Sequence, residues 1–132
     1  MNTKLLMTAS AISLGAAGIT LIFAPDEASR FFMVGADKQA VLFIQIIGAA
    51  YFAFAMLNWM TKDNAIGGIY NRPIAIANLT HFGIAALALV KGIAANPDLS
   101  YQWWVLTAFY TVFATAFGIV FLRHPAGEKK LE

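Results

Sequence analysis

The sequence predicts an all-α integral membrane protein, a bundle of four spanning helices running up-down-up-down, and three observations predict it. The first is where charge falls. Residues 5–23, 40–59, 73–90 and 103–122 contain no Asp, Glu, Lys or Arg, although the 132-residue chain carries nine basic and seven acidic residues. The second is length. These runs hold 19, 20, 18 and 20 residues, and about 20 helical residues rise about 30 Å, the thickness of a bilayer's hydrocarbon core. The third is composition. Hydrophobic residues make up 60% of the chain and charged residues 12%, against roughly 45–50% and 25% in soluble domains. A chain of this size is expected to form one domain, residues 1–132.

The first run begins behind Lys4 and resembles a secretory signal peptide only superficially. Its apolar length exceeds the 7–15 residues typical of a signal peptide's core, and Pro25 follows the best small residue, which disfavours cleavage. It reads as an anchor. The connection "PDEASRFFMVGADK" reads as a short interfacial helix near 25–34. Pro25 suits a first helical position, Asp26 and Glu27 suit an N-terminal turn, and Gly35 suits a C-terminal cap. Ala28, Phe31 and Phe32 are expected on the acyl boundary, with Arg30 toward headgroups. The second run ends at Trp59, and a Gly67-Gly68 turn leads to Pro73, a good start for the third. "ANPDLS" is a turn centred on Pro97 and Asp98. The fourth run opens with Tyr101, Trp103 and Trp104, which read as interface anchors.

Short loops make successive helices antiparallel neighbours. Small residues at four-residue spacing mark faces on which helices can approach closely. Such stripes are Ala9, Ser13 and Ala17 on the first span, Ala49 and Ala53 on the second, and Thr107, Thr111 and Thr115 on the fourth. Basic residues set orientation. Lys4, Lys62, Arg72, Arg123, Lys129 and Lys130 fall on one side, and Arg30, Lys38 and Lys91 on the other. The termini are therefore expected in the cytoplasm of a multi-pass cell-membrane protein.

The polar residues at mid-depth point to function. Asn71, Asn78, His81, Ala85 and Ala88 share one face of the third span, and His81 is its ninth residue. Tyr51, Ala55 and Asn58 form a matching stripe on the second span, with Gln45 nearer the outer boundary. The fourth span offers Thr107, Tyr110 and Thr111, and the first Ser10 and Ser13. A layer of Ser13, Tyr51, His81 and Tyr110 or Thr111 is expected near the midplane. An ionisable group inside a span is a functional-site hypothesis. The competing reading is that such groups are interhelical glue, worth about 0.6 kcal/mol each; Gln45 and Asn58 fit that role well.

Several classes are disfavoured. With no cysteine, disulfides, thiolate catalysis and Cys-ligated metal are out, and one intramembrane histidine cannot by itself build a three- or four-ligand metal site. No carboxylate lies in the spans to complete a general acid–base pair, which argues against an enzyme. A net charge of +2, scattered along the chain, gives no nucleic-acid surface. The spans also lack the first-helix glutamate of small multidrug exporters. The expected partners are the lipid bilayer and a small apolar ligand or lipid. The ligand's lining is expected to be His81, Asn78, Tyr51, Gln45, Tyr110, Thr111 and Ser13; the cofactor is left unassigned. Assistance to a moving solute belongs to the same reading, and a channel would require a homo-oligomer, because four helices leave little room for water. The alternative is an accessory subunit whose polar residues only fix packing.

Overall fold

The structure, a computed structural model, describes residues 2–35, 37–63 and 72–122. The described elements are helices: α1 (Thr3–Phe23), α2 (Pro25–Phe31), α3 (Lys38–Thr61), α4 (Arg72–Ala95) and α5 (Tyr101–Leu122). Four of them, α1, α3, α4 and α5, are long and apolar enough to cross a membrane. They extend past the charge-free runs, so that α3 begins at Lys38 and α4 continues through Lys91. Backbone hydrogen bonding continues a helix past the point where charge begins, and a lysine stem can lie along apolar surface with its ammonium in water. The Gly67-Gly68 turn, Asn71, His124 and the basic residues from Arg123 onward lie outside the described residues.

Local chemistry sets most boundaries. The Asn2 side chain accepts the Leu5 N–H at 3.2 Å to cap α1, and Asp37 accepts the Ala40 N–H at 2.7 Å to cap α3. Pro25 opens α2 with Asp26 and Glu27 in its first turn. Its end differs from expectation, because the left-handed residue is Met33 (φ 55°), not Gly35. The Val34 N–H reaches back to the Ser29 carbonyl at 3.0 Å, a Schellman closure, and the Ser29 hydroxyl donates to the Val34 carbonyl at 2.6 Å. These two bonds close the chain two residues before glycine arrives, so methionine carries the strained conformation. Met33→Gly is accordingly expected to stabilise the protein by about 1 kcal/mol, read as a rise in thermal unfolding midpoint in detergent.

Two antiparallel hairpins make the bundle, with α1 close against α3 and α4 close against α5. The α1–α3 crossing is made by glycine. A Cβ built on Gly18 would lie 2.8 Å from the Gly48 carbonyl oxygen, and one on Gly48 would lie 2.9 Å from the Gly18 carbonyl oxygen. The contact face therefore runs through Gly18, Gly48 and Ala55. Ala49 and Ala53 are exposed, as are Thr111 and Thr115. Thr107, Thr111 and Thr115 each donate to the carbonyl four residues earlier, so their hydroxyls are satisfied within α5 and need no partner helix.

Between the hairpins lies a core that includes Met7, Leu14, Ala55, Phe82, Tyr110 and Phe117. Phe82 stacks on Phe113 and Phe117 at 4.9 and 5.5 Å between ring centroids, joining α4 to α5. Most exposed side chains of the long helices are apolar, which is compatible with a multi-pass membrane protein. Beyond the end of α1, α2 folds back on α1 and α3. Ala28 is buried there rather than turned to an acyl boundary, and Phe32 packs against Trp103 at 5.4 Å. The Trp103 indole N–H donates to the Phe32 carbonyl at 3.2 Å. Trp103 thus ties α2 to α5, while Tyr101, Trp104 and Trp59 remain exposed as anchors would be. At the opposite end Lys4 pairs with Asp63 at 2.6 Å, holding the Asp63 carboxyl below the ordinary carboxylate range. Both partners are well exposed, so the pair contributes little and is screened by salt.

Candidate functional site

The polar residues buried between the helices sort into two layers. In the first, Asn58 of α3 faces Asn78 of α4, and both are fully buried. Each amide donates to the other's carbonyl oxygen at 2.7 Å. The second Asn58 N–H goes to the Ser10 hydroxyl of α1 at 3.0 Å, and the second Asn78 N–H to the Ile74 carbonyl at 3.0 Å. Ser10 in turn donates to the Met7 carbonyl. Every amide proton is used. This closed network joins the two hairpins and leaves Asn78 no N–H with which to bind a ligand.

The second layer lies one turn along α4 and is not closed. His81 is half-buried in an aromatic box. Phe54 stacks on its imidazole at 4.7 Å, Phe82 and Tyr51 meet it edge-on at 5.0 and 5.5 Å, and Tyr110 lies at 5.8 Å. His81 Nε2 is buried and has no hydrogen-bond partner. Beside it the Tyr51 and Tyr110 hydroxyls bond to each other, linking α3 to α5. Two hydroxyls sharing one hydrogen bond use one of their two protons, and the other finds no acceptor among the described hydrogen bonds.

His81 also lines a groove of about 570 Å³ between α3 and α4. Phe54 forms its α3 side, and Ala77, Thr80, Ile84, Ala85 and Ala88 continue it along α4. Thr80, Ile84 and Ala88 are exposed, so the groove opens sideways to the outside of the bundle. Small side chains at Ala77, Ala85 and Ala88 create this space, and their span corresponds to about 16 Å of helix.

Of the residues expected to line a site, the structure brings together His81, Tyr51 and Tyr110. Asn78 sits a turn away in the closed network. Gln45 lies toward the end of the bundle that carries α2, donating to the Ile22 carbonyl of α1 at 3.1 Å. Thr111 is exposed and bonded within its own helix; the neighbouring Tyr110 takes the inward position. Ser13 is half-buried, and Ser10, one turn earlier, makes the interhelical bond. Phe54 was missed, because an apolar ring in an apolar helix carries no signal. The Asn58–Asn78 pairing did carry one, since both residues lie toward the ends of α3 and α4 that follow one another in sequence. Among the described residues no three His, Cys, Asp or Glu side chains converge as metal ligands.

Comparison of the chain with protein-family models, curated proteins and solved structures finds no match.

Proposed function

We propose that this chain is a multi-pass membrane protein that takes a small, uncharged, largely apolar molecule from the lipid phase into the α3–α4 groove. The observation that supports this reading is His81 Nε2, a buried polar atom with no protein partner beside an open space. Leaving such a group unsatisfied costs about 1–3 kcal/mol, and a bound molecule toward which the imidazole turns removes that cost. Tyr51, Tyr110 and Phe54 form the walls that orient the imidazole. The test is extraction and mass spectrometry of what co-purifies in mild detergent. Parent protein is expected to retain an uncharged apolar compound that His81→Leu protein, with unchanged helix content, has lost. Identical extracts from the two would contradict the reading.

A second reading, an accessory subunit, draws on the closed Ser10–Asn58–Asn78 network, which serves helix register. It expects His81→Leu to lower thermal stability or alter oligomer size with no retained compound in either protein.

The termini are proposed to face the cytoplasm, on the strength of six basic residues on that side against three on the other. The chain has no cysteine, so single substitutions report cleanly. Asp98→Cys is expected to react with a membrane-impermeant maleimide in whole cells, and Asp63→Cys only after lysis. The reverse pattern would invert the topology.

A further inference from the structure

We infer that Thr80 is the residue by which the groove recognises its occupant, and that the occupant carries an uncharged hydrogen-bonding group on an otherwise apolar body. The inference rests on the groove being a binding site and adds the side chain that selects what enters it.

The threonines of the helices supply the observation. In apolar surroundings a helical threonine has one ready partner, the carbonyl a turn earlier, and leaving its hydroxyl unbonded there is costly. Thr8, Thr20, Thr61, Thr107, Thr111 and Thr115 all take that partner, at 2.6 to 2.9 Å. Thr80 does not. Among the described residues its hydroxyl bonds neither to the Ile76 carbonyl nor to any other group, although α4 is helical from Arg72 onward. Its side chain is exposed and lines the groove beside His81, so the free hydroxyl is open to a molecule seated there. His81 is not equivalent, because its unpartnered Nε2 is buried in the aromatic box and meets an occupant only when the ring turns.

Position along the helix restricts the partner. Thr80 is the ninth residue of α4, about 12 Å along the axis from Arg72. The flanking stretches of α3 and α4, residues 40–59 and 73–90, contain no Lys or Arg. A phosphate or carboxylate drawn to that depth would have no counter-ion where unpaired charge is expensive. A glycerophospholipid keeps its headgroup near the helix ends and lays only acyl chain past Thr80. An uncharged polar group remains. A threonine hydroxyl both donates and accepts, so an alcohol and a ketone share the chemistry it recognises, and a plain hydrocarbon lacks it. Ala77, Ile84 and Ala88 line the groove on either side along α4 and receive the apolar body.

The experiment uses the full chain in phosphatidylcholine nanodiscs with ring-¹⁵N-labelled histidine, whose His81 signals report what lies in the groove. Two histidines are present, and a His81→Gln variant assigns the resonances. Four probes are titrated: a straight-chain alcohol, the matched methyl ketone, the matched alkane and phosphatidylglycerol. The alcohol and ketone are expected to shift the His81 signals saturably and at lower concentration than the alkane, and phosphatidylglycerol to leave them in place. Thr80→Val, which keeps nearly the same shape and loses the hydroxyl, is expected to weaken alcohol and ketone binding about fivefold, the equivalent of one ordinary hydrogen bond. Alkane binding should not change. Thr80→Ser keeps the hydroxyl and should retain most of the affinity, and Thr111→Val, at a threonine already bonded within its helix, should retain all of it. Alcohol and ketone that bind Thr80→Val as tightly as the parent would overturn the inference while leaving the groove a binding site. An alkane that binds the parent as tightly as they do, or a saturable response to phosphatidylglycerol, would do the same. Absence of saturable binding by any probe would overturn both.

Discussion

Gly18→Ala is expected to destabilise the protein by about 1–3 kcal/mol, the cost of overpacking a tight contact. The added methyl carbon would sit 2.8 Å from both the Gly48 carbonyl oxygen and the Phe52 backbone nitrogen. Both are main-chain atoms in the middle of a helix and cannot rotate away, so α1 and α3 must separate. Close backbone approach is the chief attraction between helices whose surroundings are as apolar as their side chains, and separation weakens the whole hairpin. Other glycines supply the contrast. A Cβ on Gly15 meets only the Ala55 Cβ at 3.5 Å, and one on Gly83 or Gly92 meets nothing within 4 Å. Alanine at those positions is expected to be neutral or stabilising, since alanine exceeds glycine in helix propensity by up to about 1 kcal/mol. Thermal unfolding of the four variants in one detergent checks the series. A Gly18→Ala protein as stable as Gly83→Ala would mean that the crossing is looser than described.

The second large effect concerns the amide pair. Asn58→Leu removes both hydrogen bonds to Asn78 and leaves a fully buried amide with one oxygen and one N–H unmatched. The expected loss is about 1–3 kcal/mol, the price of orphaned polar groups rather than of the bond itself. Polar contacts between helices average about 0.6 kcal/mol because the dissociated helices find other partners, so the orphan term decides the outcome. Asn78→Leu should behave alike. The double variant Asn58→Leu/Asn78→Leu removes both amides and is expected to be more stable than the sum of the singles predicts. A double-mutant cycle measures this directly, and additive losses would show that the two amides do not depend on each other.

How far the sequence could be read follows from the same contacts. The four long helices were legible because sixteen charges cannot be hidden, and their positions mark which stretches avoid water. Which way each helix faces was not legible. The long helices are apolar all round, so periodicity gives no preferred side, and small residues occur at several registers. On α3, Ala49 and Ala53 suggested a face as plausible as that of Gly48 and Ala55, and only backbone proximity separates them. The α2 terminus shows a different limit. Gly35 was the natural cap, but two local hydrogen bonds between Ser29 and Val34 stop the chain at Met33. At the candidate site, His81 and its phenol neighbours stood out as polar groups at mid-depth. The unmet Nε2 did not, since it depends on what surrounding side chains fail to offer.

The proposed function requires His81 to face a groove that opens sideways to lipid and not to water. Paramagnetic broadening of the His81 ¹⁵N signals in nanodiscs measures this directly. Phospholipid carrying a nitroxide near the end of its acyl chain is expected to broaden the His81 resonance strongly, while a water-soluble paramagnetic chelate leaves it sharp. Broadening by the chelate, or by neither agent, would contradict it.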